Sequence, residues 1–505
     1  METMAQWYDP NPRTFGKAQR GCTTLLFGGL TAMHDGLIEA ALASLGYRLR
    51  ALPCPDREAL QRGKEFGNRS QCNPTYFTVG NLIKHLIHLR DVEGLSREQI
   101  VNDYLFVTAG ACGPCRFGMY VTEYRKALRD AGFEGFRVLL FENAGSLQQG
   151  EADSGLALTP GFFITLLKAA MLGDVLNALG YRIRPYEVVA GSTDAALAEC
   201  RALLCDALRK RRGLRQALRQ CRRRLAAVPV DRLQAKPKVA IIGEFWAMTT
   251  EGVGNYRLQR FLEAEGAECE VQAVVSWVLY SIWEAAYDTR ERMLLRSERP
   301  GRRRWEFAPL WRLLLLRLGR AVLQGCFYRY ARRLGLAGYH LPDMDELARI
   351  GRDYYANELR GGEGHMEVAK LIQGVSQHKA HLTLSIKPFG CMPSSGVSDG
   401  VQSLVTARYP AANFLAVETT GDGAVNVHSR VQMALFRARQ AAEDEYRAAL
   451  RATGIGSEQA SSRLAARRRC RQATHYPPHR VAGTAANLLY ELARRPWRRS
   501  PAAVR

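Results

Sequence analysis

Apolar positions along the chain fall into two alternating patterns. Short runs bounded by turn residues read as buried strands: 22–29, which ends in Gly28 and Gly29, then 47–52, 104–108 and 136–141. Between them the apolar period lengthens to that of a helix. Residues 35–45 carry Leu37, Ile38, Ala41 and Leu45 on one side, and 57–64, 76–89 and 121–131 continue the rhythm. A β-α-β-α alternation of this kind predicts a parallel, doubly wound sheet.

The pattern then turns helical over 160–179 and 194–227, with Leu203, Leu204, Leu208, Leu214 and Leu218 on one side. Lys236, Pro237 and Lys238 open a second α/β unit. It has strands at 239–243 and 268–273 around a helix at 254–264, and further strands at 381–386 and 413–417. A helical insertion covers 276–373. A long helix over 425–453 precedes a basic, weakly structured tail. The expected fold is therefore α/β: two Rossmann-like parallel-sheet domains with helical insertions and a helical C-terminal tail. The expected boundaries are a lead-in at 1–18, a first α/β domain at 19–159, a helical segment at 160–235, a second α/β domain at 236–430, and a helix with basic tail at 431–505. The two halves are alike in kind, without a convincing sequence repeat.

At 505 residues, 47% hydrophobic and 24% charged, the composition is that of a globular chain with two or three cores. The purely aliphatic run at Leu313–Leu316 is short and flanked by arginines, so no membrane span is expected. The N-terminus lacks a basic region followed by an apolar one, which predicts a cytoplasmic protein with reduced thiols. The net charge of +22, from 71 Lys and Arg against 49 Asp and Glu, would attract polyanions. That excess is concentrated at 209–224, 302–304, 463–471 and 494–499, in helices and the tail, where it reads as a solvated face.

Among the twelve cysteines, placement separates ligands from core residues. Cys72, Cys115 and Cys391 each adjoin glycine or proline in a loop. Cys115 follows a predicted strand and closes a C-x2-C pair with Cys112. Thiolates are soft donors for iron–sulfur clusters or zinc, and open α/β sheets gather ligands at the carboxyl ends of their strands. The three loops are expected to meet around an iron–sulfur cluster. Cys200, Cys205, Cys221, Cys269 and Cys326 lie on helical or strand faces and read as core. Cys470 reads as inert, and Cys22, Cys54 and Cys112 as intermediate.

The stretches at 63–72 (GKEFGNRSQC), 113–120 (GPCRFGMY) and 387–393 (KPFGCMP) resemble the cysteine motifs of the 2-hydroxyacyl-CoA dehydratase-related proteins. The nearest likeness is to the dehydratase-like component associated with CoA-enzyme activases, and it runs over 21–430. The resemblance implies two Rossmann-like domains holding a [4Fe-4S] cluster through Cys72, Cys115 and Cys391, with one iron open to substrate. A double-cubane variant would draw further ligands from Cys112 or Cys22. It also implies an ATP-dependent activase as partner, a homo- or heterodimer, and a small or CoA-thioester substrate. The chain has no G-x-x-x-x-G-K-[ST] loop, so the ATPase is expected to be a separate protein.

Glu244 and Glu418 follow strands and are candidate proton carriers beside such a centre. For Glu418 the capping reading weighs equally, and for Asp422 it weighs more. His365 and His378 read as structural. Lys64 and Arg116 would neutralise a cluster or a CoA phosphate, or lie in solvent. The leading expectation is an iron–sulfur reductase or dehydratase-like enzyme. The alternatives are a non-catalytic electron carrier or scaffold and a basic nucleic-acid binder. The last lacks a basic groove interleaved with aromatics.

Overall fold

Eight short strands appear where the alternation of apolar and turn residues places them. The computed structural model describes residues 15–110, 115–141, 155–297, 307–360 and 362–493. The expected lead-in falls largely outside them, as do Cys112, Arg302 to Arg304 and Arg494 to Arg499. The first sheet comprises β1 (Thr24–Phe27), β2 (Arg48–Ala51), β3 (Tyr104–Ala109) and β4 (Arg137–Phe141), all parallel, in the order β2-β1-β3-β4. Its helices are α1 (Ala32–Ala43), α2 (Arg57–Phe66), α3 (Asn73–Asp91), α4 (Arg97–Asp103) and α5 (Tyr120–Asp130).

Then come α6 (Pro160–Ile183), α7 (Ser192–Arg209) and α8 (Leu214–Ala226). The stretch expected as one helix over 194–227 is broken at Gly213, which takes a positive φ of 76°. On α8 the buried stripe of Ala217, Leu218, Cys221 and Leu225 opposes exposed Arg215, Arg219, Arg222 and Arg223, the solvated face expected of this basic run. By length and composition α6 could cross a membrane, which the search for purely aliphatic runs passed over. Most of its apolar window is buried inside the protein, where Leu172, Val175, Leu176 and Leu179 join the largest core.

The second sheet comprises β5 (Lys238–Gly243), β6 (Glu268–Val271), β7 (Leu382–Pro388) and β8 (Phe414–Thr419), again parallel, in the order β6-β5-β7-β8. This repeats the order of the first sheet. The duplication is one of topology, with no sequence repeat to announce it. Between β5 and β6 lie α9 (Phe245–Thr249) and α10 (Leu258–Ala264). The insertion contains α11 (Val274–Ser297), α12 (Phe307–Leu334), α13 (Met344–Gly351) and α14 (Gly364–Ser376). Short α15 (Met392–Ser395) and α16 (Gln402–Arg408) connect β7 to β8. Every residue of β7 is buried, as befits a central parallel strand covered on both faces.

The chain ends in α17 (Ala424–Thr453), α18 (Ser457–Ala466) and α19 (Thr484–Ala493). The expected weakly structured tail is corrected here up to residue 493. Ala486 and Leu489 pack with Ala449, Ile455 and Ala460, so α18 and α19 close against α17. The arginine-rich composition hid that apolar face.

The two sheets confront each other through the loops at their carboxyl ends. Ala32 N–H donates to Glu251 Oε2 at 2.7 Å, Lys64 Nζ pairs with Asp422 at 3.0 Å, and the Phe77 and Trp246 rings lie 5.5 Å apart. In both sheets the crevice where strand order reverses opens at this junction.

Candidate active site

Cys115 follows β3 and Cys391 follows β7, topologically equivalent positions beside the two crevices. Each cysteine stands at the residue that starts a helix. Cys72 caps α3, Cys115 precedes the 3-10 turn Arg116–Met119 that leads into α5, and Cys391 caps α15. Pro74 at the start of α3 and Pro393 in α15 suit first-turn positions, where the missing N–H costs nothing.

The three loops meet. Asn73 N–H donates to the Phe389 carbonyl at 2.9 Å. A Cβ on Gly390, whose φ is +76°, would sit 3.2 Å from Cys72 Cα, so only glycine suits that approach. Arg116 reaches back to the Ser70 carbonyl, and the Tyr120 hydroxyl lies 2.9 Å from Cys72 Sγ. Thr75 Oγ1 is 3.1 Å from the same sulfur. The approach of α2 to α3 holds Cys72 in place. Gly63 and Gly80 leave so little room that a Cβ on either would fall on the backbone carbonyl of Tyr76 or Ala59.

Carboxyl groups crowd the same space. Glu244, the residue after β5, caps α9 by accepting from Ala247 N–H at 2.8 Å. Glu363 caps α14 in position and accepts from Phe245 N–H. Glu367, one turn on, accepts from Ser394 Oγ at 3.1 Å and Ser385 Oγ at 3.4 Å. Burial raises the Glu244 carboxyl. Burial and the Glu244 and Glu367 charges hold that of Glu363 well above the usual range. Burial, with the Glu244 charge against its serine hydrogen bonds, raises Glu367 to about 8. The Glu363 and Glu367 carboxyls are therefore proton holders near neutral pH.

Burial also raises the Cys115 thiol to about 11, helped by the charges of Glu244, Glu363 and Cys72 against the Phe117 amide. Cys391 is driven higher, by burial and the Glu244 charge in particular. Neutral thiols set among carboxyls lack the positive charge that would ionise them. Among the described residues these cysteines form no group with donor atoms as close as a single ion requires. A polynuclear cluster is larger than one ion and spreads its thiolates farther apart.

Other expected residues stand elsewhere. Cys22 precedes β1 and lies at the amino end of the sheet, with its thiol donating to the Gln19 carbonyl at 3.4 Å. The strand direction thus removes it from the meeting point and from any extended ligand set there. Cys54, beyond the carboxyl end of β2, packs against Gly252. Glu418 is paired with Lys387 at 3.2 Å. The carboxylates that weigh most on Cys115 and Cys391 are Glu244 and Glu363. Asp422 does not cap α17, whose cap is Gly423, because its carboxylate is turned to Lys64. His365 is structural, 2.7 Å from the Tyr280 hydroxyl and ringed by Trp283 and Tyr355, and His378 is exposed.

Sequence reasoning missed Tyr120, Glu363 and Glu367. The four-residue spacing of the two glutamates at a helix start, one face of one turn, was the available signal. No family model matches this chain, and no curated protein matches it.

Proposed function

We propose that this chain is an iron–sulfur reductase or dehydratase-like subunit that receives low-potential electrons from a separate ATP-dependent activase and acts on a small or CoA-linked substrate. One observation carries the reading: three cysteine loops, two of them at the carboxyl ends of β3 and β7, meet beside three buried carboxyls. Cys72, Cys115 and Cys391 would hold the cluster. When bound, such a cluster supplies a low-potential electron and an open iron that acts as a Lewis acid.

The protein's own groups have definite tasks in this reading. Tyr120 and Thr75 orient Cys72 and hydrogen-bond its sulfur, which tunes the centre. Glu363 holds a proton within reach of the site and, with Glu244 beside it, can release it to a substrate oxygen that gains charge. Glu367, in contact with Ser394 and Ser385, is a reservoir behind them. A carrier that only passes electrons has no task for three buried carboxyls, which favours an enzyme over a scaffold.

Exposed Met119, Phe389 and Met392 flank the Cys115 and Cys391 loops, an apolar rim suited to a docking electron donor. The reading is tested with anaerobically purified protein mixed with an activase of the 2-hydroxyacyl-CoA dehydratase type, a low-potential donor and ATP. Bleaching of the cluster absorbance that requires ATP supports it. Absence of ATP-dependent reduction of a cluster-loaded protein overturns the redox role.

A further inference from the structure

Far from the thiol site, a loop and a helix of the C-terminal unit bring together three donors of a different kind. Cys470 Sγ, His475 Nε2 and a Glu491 carboxylate oxygen all lie within 4.8 Å of one another. Cys470 and His475 are buried, at 5% and 6% exposure. Around them are Leu488 and Leu492 of α19, with Leu233 and Leu464 at the edge. The sequence reading of Cys470 as inert took it for part of a solvated tail.

We propose that Cys470, His475 and Glu491 bind one zinc ion, which staples the loop before Tyr476 to α19 and leaves the fourth coordination position to water. A thiolate, an imidazole and a carboxylate form a donor set that suits zinc, and its two negative charges balance the ion. Tetrahedral zinc, with bonds of about 2.0 Å to nitrogen or oxygen and about 2.3 Å to sulfur, spaces such ligands by roughly 3.3–3.5 Å. The 4.8 Å cluster contains that spacing. The His475–Glu491 pair, now 2.9 Å apart, opens by a few tenths of an ångström to admit the ion. On binding, the thiol proton leaves to solvent and His475 coordinates as neutral imidazole, its ring proton on the other nitrogen.

The scaffold is prepared for such a site. Arg232 donates to the Ala473 carbonyl at 2.6 Å, Cys470 N–H to the Arg467 carbonyl at 2.9 Å, and His475 N–H to the Gln472 carbonyl at 2.9 Å. Arg467 donates to the Glu491 and Leu492 carbonyls at 2.9 and 3.3 Å, which ties the loop to the end of α19. An ion pair alone explains His475 and Glu491. It does not explain a sulfur set against that pair in a pocket otherwise lined by leucines.

The test is metal analysis of the full-length protein, purified from zinc-supplemented cells, alongside Cys470→Ser and His475→Ala. The expected result is about one zinc per chain in the parent, lost in both variants, with iron content unchanged. Loss of zinc only in Cys115→Ser would place the metal at the other site and overturn the proposal, as would no zinc in the parent. Should the variants fail to fold, cobalt titration of the metal-stripped parent decides the matter. Thiolate-to-cobalt absorption saturating at one equivalent in Cys115→Ser protein supports the site, and its absence overturns it.

Discussion

The phenol oxygen of Tyr120 lies 2.9 Å from the sulfur of Cys72, 48 residues away in sequence, and joins the Cys115 segment to the Cys72 loop. Burial raises that hydroxyl well above its usual range, and the neighbouring Cys72 adds to the rise. Tyr120 therefore remains a donor at any physiological pH. Hydrogen bonds to ligand sulfur raise the potential of an iron–sulfur centre. The Tyr120→Phe protein is expected to retain its iron and to show a lower midpoint potential in an EPR-monitored redox titration. An unchanged potential would mean that the hydroxyl serves packing alone.

The α2–α3 junction places Cys72, and its two glycines allow no side chain. Gly63→Ala or Gly80→Ala is expected to destabilise the protein by about 3 kcal/mol or more, since each added methyl overlaps backbone that cannot yield without shifting a helix. Urea unfolding measures this. A change within about 0.5 kcal/mol, the range of ordinary surface substitutions, would show that the helices sit farther apart.

Stability should depend on pH through Glu367. Its folded pKa of about 8 lies above the 4.5 of an exposed carboxyl. Between those values the folded protein keeps a proton that the unfolded chain releases, so stability falls as pH rises through this window. Glu367→Gln removes the penalty. The variant's melting temperature is expected to rise relative to the parent at pH 8 and to differ little at pH 4.5. Equal shifts at both would remove the buried proton from the account.

The exposed rim beside the thiols gives a kinetic prediction. Phe389→Asp and Met392→Asp are expected to slow ATP-dependent reduction by the activase by about tenfold or more, as loss of an interface anchor does. Reduction by dithionite should be unaffected. If both reductants slow alike, the substitutions have damaged the site and not the docking surface.

Much of this fold was legible from period alone, because central strands such as β7 and amphipathic helices such as α8 carry their burial pattern openly. The thiol loops were also legible, since glycine and proline beside a cysteine mark a turn at a strand end. The facing of Glu244 to Glu363 was not. They lie 119 residues apart, and only the packing of α9 against the start of α14 brings them together. The tail deceived for a different reason: its arginines outnumber the few leucines and alanines that do the packing, so its composition hides its core. Cys22 shows a further limit: sequence places it beside a strand, and only strand direction puts it at the amino end, away from the meeting point.

The most direct test of the central claim is the iron and acid-labile sulfide content of anaerobically purified protein, compared with Cys72→Ser, Cys115→Ser and Cys391→Ser. The account predicts both elements in the parent, in equal amounts, and their joint loss in each single variant. A colourless parent, or full iron and sulfide in any one of the three variants, would contradict it.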